Sequence, residues 1–164
     1  MRSPADAVRA RIGFLPEDRK QQGLVLGLSV ANNVALSHLP RLSRFGVVDR
    51  GRERAEAEDA ITRLRIRTPG PGQPVVHLSG GNQQKVVLAK WLAAQAEVFI
   101  FDEPTRGIDV AARQDIYTLM NGLVEQGAGI IMISSDAGEV LGMSDRLLVM
   151  RAGTIQAELK AADA

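Results

Sequence analysis

Hydrophobic positions change their period several times along the chain, and each change marks an expected element. Arg11 to Leu15 (RIGFL) reads as a short strand running into a Pro-Glu-Asp turn at Pro16. Ser29 is placed to cap a helix whose face begins with Val30 and Val34. Residues 37–49 lack a clear period, and Pro40 is expected to break any helix there. From Arg50 to Arg67, Ala57, Ala60, Ile61 and Leu64 recur at helical spacing, opposite a solvated face of Arg and Glu. The Pro/Gly loop TPGPGQP (68–74) follows. Next comes a helix capped by Ser79, with Val87, Leu88, Trp91 and Leu92 as its apolar stripe. Trp91 belongs to the core rather than to a ligand platform.

Beyond residue 96 the pattern becomes strand, helix, strand, helix, strand. EVFIF (97–101) is a continuous apolar run, expected of a strand buried on both faces. Asp109 caps the next helix, Ile116, Leu119, Met120, Leu123 and Val124 form its inner face, and Gly127 ends it. GIIMIS (129–134) is a second buried strand, 137–144 a short helix, and 146–150 with 154–159 a hairpin around Ala152-Gly153. This alternation is the signature of an α/β fold with a parallel sheet, interrupted by a mainly helical stretch. The expected division is 1–24 and 97–164 in the sheet-bearing core and 25–96 as an inserted helical subdomain.

Charge and composition narrow the function. The 20 basic and 19 acidic residues leave a net charge of +1, so no strong overall field draws the protein to nucleic acid or anionic lipid. The absence of cysteine excludes disulfides and thiolate metal sites. The opening MRSPADAVRARIG has no apolar run of the secretory kind. No stretch approaches the roughly 20 apolar residues of a spanning helix, so any membrane association is expected to come through a partner.

Two segments carry chemistry. Val98 to Phe101 deliver Asp102 and Glu103 to the C-terminal edge of a strand, where open α/β sheets bind ligands. Asp102 is suited to Mg²⁺ through its water shell, and Glu103 to polarising an attacking water. In Leu78-Ser79-Gly80-Gly81-Asn82-Gln83-Gln84-Lys85, two glycines open a helix, so its N–H groups and dipole face outward and favour a phosphate. Either segment alone also reads as ordinary structure, an acidic strand end or a capped helix.

Taken together, LSGGNQQK followed by FIFDEPTRGID resembles the ABC ATPases, a P-loop NTPase family. PEDRKQQGL near the start and ISSDAGEVLGMSDRLLVM near the end extend the likeness through the chain. They look like the second cassette of the ribose/galactose/xylose type of bacterial importer ATPase, in which two cassettes are fused. The resemblance implies ATP and Mg²⁺ as ligands. It makes Ser79, Gly80, Gly81 and Asn82 the signature that meets ATP bound on the opposite cassette. It makes Asp102 the Walker B aspartate, Glu103 the catalytic glutamate and Asp109 the D-loop aspartate. Glu17 stands where most ABC proteins have the Q-loop glutamine, and Ser135 where they have the switch histidine. The implied partners are a second cassette, a membrane permease and, indirectly, a periplasmic sugar-binding protein, at the cytoplasmic face of the inner membrane. A DNA-repair or ribosomal ABC ATPase fits the near-zero charge and the importer-like segments less well. A truncated, non-enzymatic cassette that completes another protein's site is the remaining alternative.

The 164 residues contain no Gly-x-x-x-x-Gly-Lys-Ser/Thr, the loop that cradles the β- and γ-phosphates. Family members carry it upstream, so the sequence is expected to begin inside a cassette, near the Q-loop. The chain alone is expected to be inactive. Without the strand that bears that loop, unpaired strand edges and uncovered apolar faces are expected, giving poor solubility or a partly molten state.

Overall fold

The computed structural model describes residues 2–160. Ser3 opens a capping box on α1 (Pro4–Arg9), which leads into β1 (Ile12–Leu15). A single π-turn over Arg19–Gly23 follows, capped by Asp18. Then come α2 (Val30–Ala35), α3 (Leu39–Leu42), a small hairpin of β2 (Ser43–Arg44) and β3 (Val47–Val48), and α4 (Arg50–Arg63). After the Pro/Gly loop, α5 (Gly80–Ala93), β4 (Val98–Asp102), α6 (Val110–Glu125), β5 (Gly129–Ile133) and α7 (Ala137–Met143) alternate. The hairpin β6 (Arg146–Arg151) and β7 (Thr154–Lys160) closes the described residues.

β1, β4 and β5 form a parallel sheet in that order, with Leu15 opposite Phe101 and Asp102 opposite Ile133. This places Pro16-Glu17, Glu103 and Ser134-Ser135 at one edge, each just past the C-terminal end of its strand. Phe99 and Phe101 point into the core and are fully buried with Leu15. The apolar cluster runs on through Val30, Val34, Val75, Val86, Val87, Leu88, Ile116 and Met120, so one core serves both sheet and helices. Asn33, fully buried, holds the 25–29 loop: its amide oxygen accepts from the Val25 N–H and its amide nitrogen donates to the carbonyls of Val25, Leu28 and Ser29.

Five expectations are corrected. Pro40 does not break the 37–49 region; it lies in the first turn of α3, where its missing N–H leaves no intrahelical bond unmade. α4 stops at Arg63, with Leu64 as its C-cap, instead of Arg67, because Arg65 takes a left-handed backbone, φ 51°. Val124 faces solvent at 50% exposure, since the α6 stripe turns past it between Leu123 and the helix end. β5 is covered on one face only, with Ile131 and Ile133 about half exposed and Phe14 of β1 41% exposed, while β4 alternates buried and half-buried positions. β6 pairs antiparallel with β7 in the expected hairpin, but among the described residues it does not join the parallel sheet that the strand-helix alternation implied.

Candidate functional site

Two clusters form around the residues singled out in the sequence. The first lies at the sheet edge. β4 delivers Asp102, half-buried, and the chain then turns through Glu103 in the left-handed region at φ 47°. Such a backbone costs about 1–3 kcal/mol in a non-glycine residue and concentrates at active sites. Its neighbours hold it there: the Glu103 N–H donates to the Ile133 carbonyl at 2.8 Å, and Glu103 Oε1 accepts from the Ser135 N–H at 2.8 Å. Ser135 thus serves this carboxylate with its backbone.

The loop carrying Ser135 is fixed from behind. The Ser134 hydroxyl donates to buried Glu139 and accepts from the Asp136 N–H. Asp136 in turn caps α7. Tyr117 lies beside Glu139, and burial together with that carboxylate pushes its phenol pKa up. Among the described residues, no group of three or more His, Cys, Asp or Glu side chains is arranged to hold a metal. Asp102 bonds to no other side chain or N–H among them. One free carboxylate suits Mg²⁺, which keeps several waters and takes one or two protein carboxylates plus phosphate oxygens.

The second cluster lies at the N-terminus of α5. Ser79 occupies the N-cap position by backbone, its carbonyl accepting from the Gln83 N–H at 2.9 Å. Its side chain does not cap the helix as expected. The hydroxyl oxygen instead accepts from Asn82 Nδ2 at 2.8 Å, while Asn82 Oδ1 accepts from the Arg67 N–H at 2.8 Å. The reason is local: Asn82, one turn on, reaches back to the serine and occupies it. This leaves the exposed Ser79 O–H proton and the first-turn N–H groups of α5 pointing outward as donors.

The signature glycines have a packing reason as well. A Cβ on Gly81 would lie 2.8 Å from the Ala112 Cβ of α6. A Cβ on Gly80 would lie 2.6 Å from a guanidinium nitrogen of Arg19. The same Gly80 position lies 3.4 Å from the Gly107 carbonyl.

The structure therefore brings the two clusters near one another through the 103–109 loop. Asp109 caps α6, accepting from the Ala112 N–H at 3.0 Å. Glu17 is ion-paired with Arg106 on that loop. Sequence reasoning did not single out Arg19, Arg106, Glu139 or Lys90. Lys90 is 8% exposed and donates to the Gly23 carbonyl at 2.7 Å. Their motif neighbours were the available signal, Arg19 within PEDRK and Glu139 within SSDAGE. Neither histidine enters the site: His38 is buried against Glu56 at 2.6 Å, and His77 lies in the turn before Leu78.

Comparison with known proteins gives a consistent result. The family model described as "ABC transporter" matches residues 2–106. The Ribose import ATP-binding protein RbsA 1 of Rubrobacter xylanophilus is 55% identical over 162 residues, covering 98% of this chain and 32% of that protein. The Ribose import ATP-binding protein RbsA of Bacillus subtilis is 48% identical over 164 residues, covering all of this chain and 33% of that protein. The chain thus spans about a third of the length of the curated relatives it matches. A dimeric ATP-binding cassette in a post-hydrolysis state, bound to ADP and phosphate, superposes with a TM-score of 0.76 at 23% identity. That match covers 94% of this chain and 66% of the cassette, and it shows a shared fold.

Proposed function

The chain belongs to the ABC transporter family, and from that premise we propose that it is part of the ATP-binding, energy-coupling subunit of a bacterial sugar importer. In this reading its signature, Ser79 to Asn82, closes over ATP held by a second cassette. The Ser79 hydroxyl and the first-turn N–H groups of α5 donate to the γ-phosphate, and the helix dipole adds to the attraction. Asp109 lies at the contact between cassettes. The relatives are ribose import ATP-binding proteins, which supports a monosaccharide as cargo. The permease would meet the 16–23 turn and the helices of 25–96, at the cytoplasmic face of the inner membrane, with a periplasmic sugar-binding protein acting through it.

The acid pair serves a different step. Mg²⁺, when bound through Asp102, would neutralise phosphate charge. Glu103 would take the proton of a water whose oxygen bonds to the γ-phosphorus as the bridge to the β-phosphate breaks. Ser135 N–H occupies Oε1 of Glu103 and leaves Oε2 to accept that proton. Both roles need a phosphate cradle of the GxxxxGK[ST] kind, which these 164 residues do not contain.

The observation that carries the reading is the Ser79 hydroxyl, exposed at the start of a 14-residue helix with its acceptor side taken by Asn82. In the full-length two-cassette protein, Ser79→Arg is expected to abolish sugar uptake while leaving assembly intact. Unchanged uptake refutes the role. Measurable ATP turnover by the 164-residue chain alone would overturn the assignment of the missing cradle.

A further inference from the structure

The geometry points to Arg19 as a positioning residue that fixes the spacing between the signature and the Arg106–Asp109 loop. This rests on the reading above, in which both segments face a nucleotide held by another cassette.

Arg19 begins the π-turn that follows Glu17 and Asp18. One guanidinium nitrogen donates to the Arg106 carbonyl at 3.2 Å. The other fills the space that a Cβ on Gly80 would need, 2.6 Å from that point. Its Nε is sealed from solvent and has no hydrogen-bond partner among the described residues. The fork is therefore lodged by packing between α5 and the loop after β4. A glycine at 80 leaves room for this fork, and a methyl there would oblige the guanidinium to shift from its place beside the Arg106 carbonyl.

The same turn is tied down elsewhere. Glu17 pairs with Arg106, Lys90 of α5 donates to the Gly23 carbonyl, and Gly23 lies close against Val87 of α5. The 17–23 segment thus touches α5 near both ends and grips the 106–109 loop. Arg19 is the contact that joins the signature end to the loop. A planar fork spans the two sites at once; a lysine ammonium, a single point, does not. Misplacement of reacting partners by about 1 Å costs on the order of 10²-fold in rate. Losing the fork should therefore reduce turnover without removing the cassette contact.

The test has two arms. In the 164-residue chain, hydrogen exchange is followed at the amides of Gln84 to Leu88. Gly80→Ala is expected to lower their protection at least tenfold. In the Arg19→Ala background the same change should cost less than threefold, because the added methyl then enters vacated space. An equal cost with and without Arg19, or failure of the double variant to regain order when Gly80→Ala alone loses it, overturns the inference.

In the second arm the chain is titrated into a separate cassette that bears a GxxxxGK[ST] loop, and ATP turnover is measured. Arg19→Ala and Arg19→Lys are each expected to lower maximal turnover at least tenfold, with the half-activating concentration held within threefold. Full maximal turnover in Arg19→Ala overturns the inference. If wild-type chain gives no stimulation while its exchange protection shows α5 folded, the proposed function fails instead, and Arg19 is then decided by the exchange cycle.

Discussion

Lys90 offers a quantitative check on the packing around α5. Its ammonium is almost wholly enclosed, donating to the Gly23 carbonyl at 2.7 Å and lying 5.0 Å from the Trp91 ring centroid. Among the described residues no carboxylate pairs with it, and burial brings its pKa from 10.5 to about 8. At about 1.4 kcal/mol per unit, this amounts to about 3 kcal/mol against the charged form in the folded chain. The sign follows from proton counting. Between pH 8 and 10.5 the unfolded lysine keeps its proton and the folded one releases it, so stability rises with pH across that window. Tyr117 acts in the opposite sense near and above pH 10, because its raised pKa makes ionisation costly in the folded state. The clean interval is therefore pH 8 to 10. The chain has four lysines, Lys20, Lys85, Lys90 and Lys160, so ¹³C-labelled lysine resonances can be assigned by single substitution. One resonance is expected to titrate near pH 8 and to vanish in Lys90→Met, and the rise in stability should vanish with it. A Lys90 resonance titrating near 10.5 would refute the burial on which the reasoning stands.

Three other outcomes test the glycine packing and the acid pair. Gly81→Ala should destabilise the chain by about 1–3 kcal/mol through overpacking against α6, and Ala112→Gly in the same chain should recover most of that loss in urea unfolding. In a full-length protein that carries a GxxxxGK[ST] loop, Glu103→Gln is expected to lower ATP turnover by about 10²–10⁴-fold, the usual range for a general base. Ser135→Ala should stay within threefold, because a backbone N–H, not the hydroxyl, meets Glu103; a loss as large as that of Glu103→Gln would refute that assignment.

What could be read in advance followed from periodicity. The buried stretch at β4, the stripe of α6 through Met120 and Leu123, and the Asp109 cap all have short-range causes, and all are present. The acid pair and the glycine-led helix were legible because strand ends and helix starts expose the groups that bind ligands. Long-range pairing was not legible. Nothing in GIIMIS distinguishes a strand covered on both faces from one covered on a single face; that depends on what packs above it. Nothing in the local pattern after residue 145 tells whether β6 joins β5 or only its own hairpin. The capping role assigned to Ser79 failed for a local reason instead: Asn82, three residues on, takes its oxygen, and Asn82 is itself held by the Arg67 N–H fifteen residues before it. Arg19 was invisible because its significance lies in an absence, the missing Cβ of Gly80.

The most constrained element is α5. Gln83, Gln84, Lys85 and Lys90 are polar, yet each is less than a tenth exposed. Gln83 donates to the Val75 carbonyl, Lys85 to Asp115 on α6, and Lys90 to the turn after β1. A helix hemmed in on every side has no idle face on which drift can accumulate. Its hydrophilic letters therefore belong to the interior as much as its valines do, and a reader who sorts residues by polarity will misjudge where this molecule tolerates change.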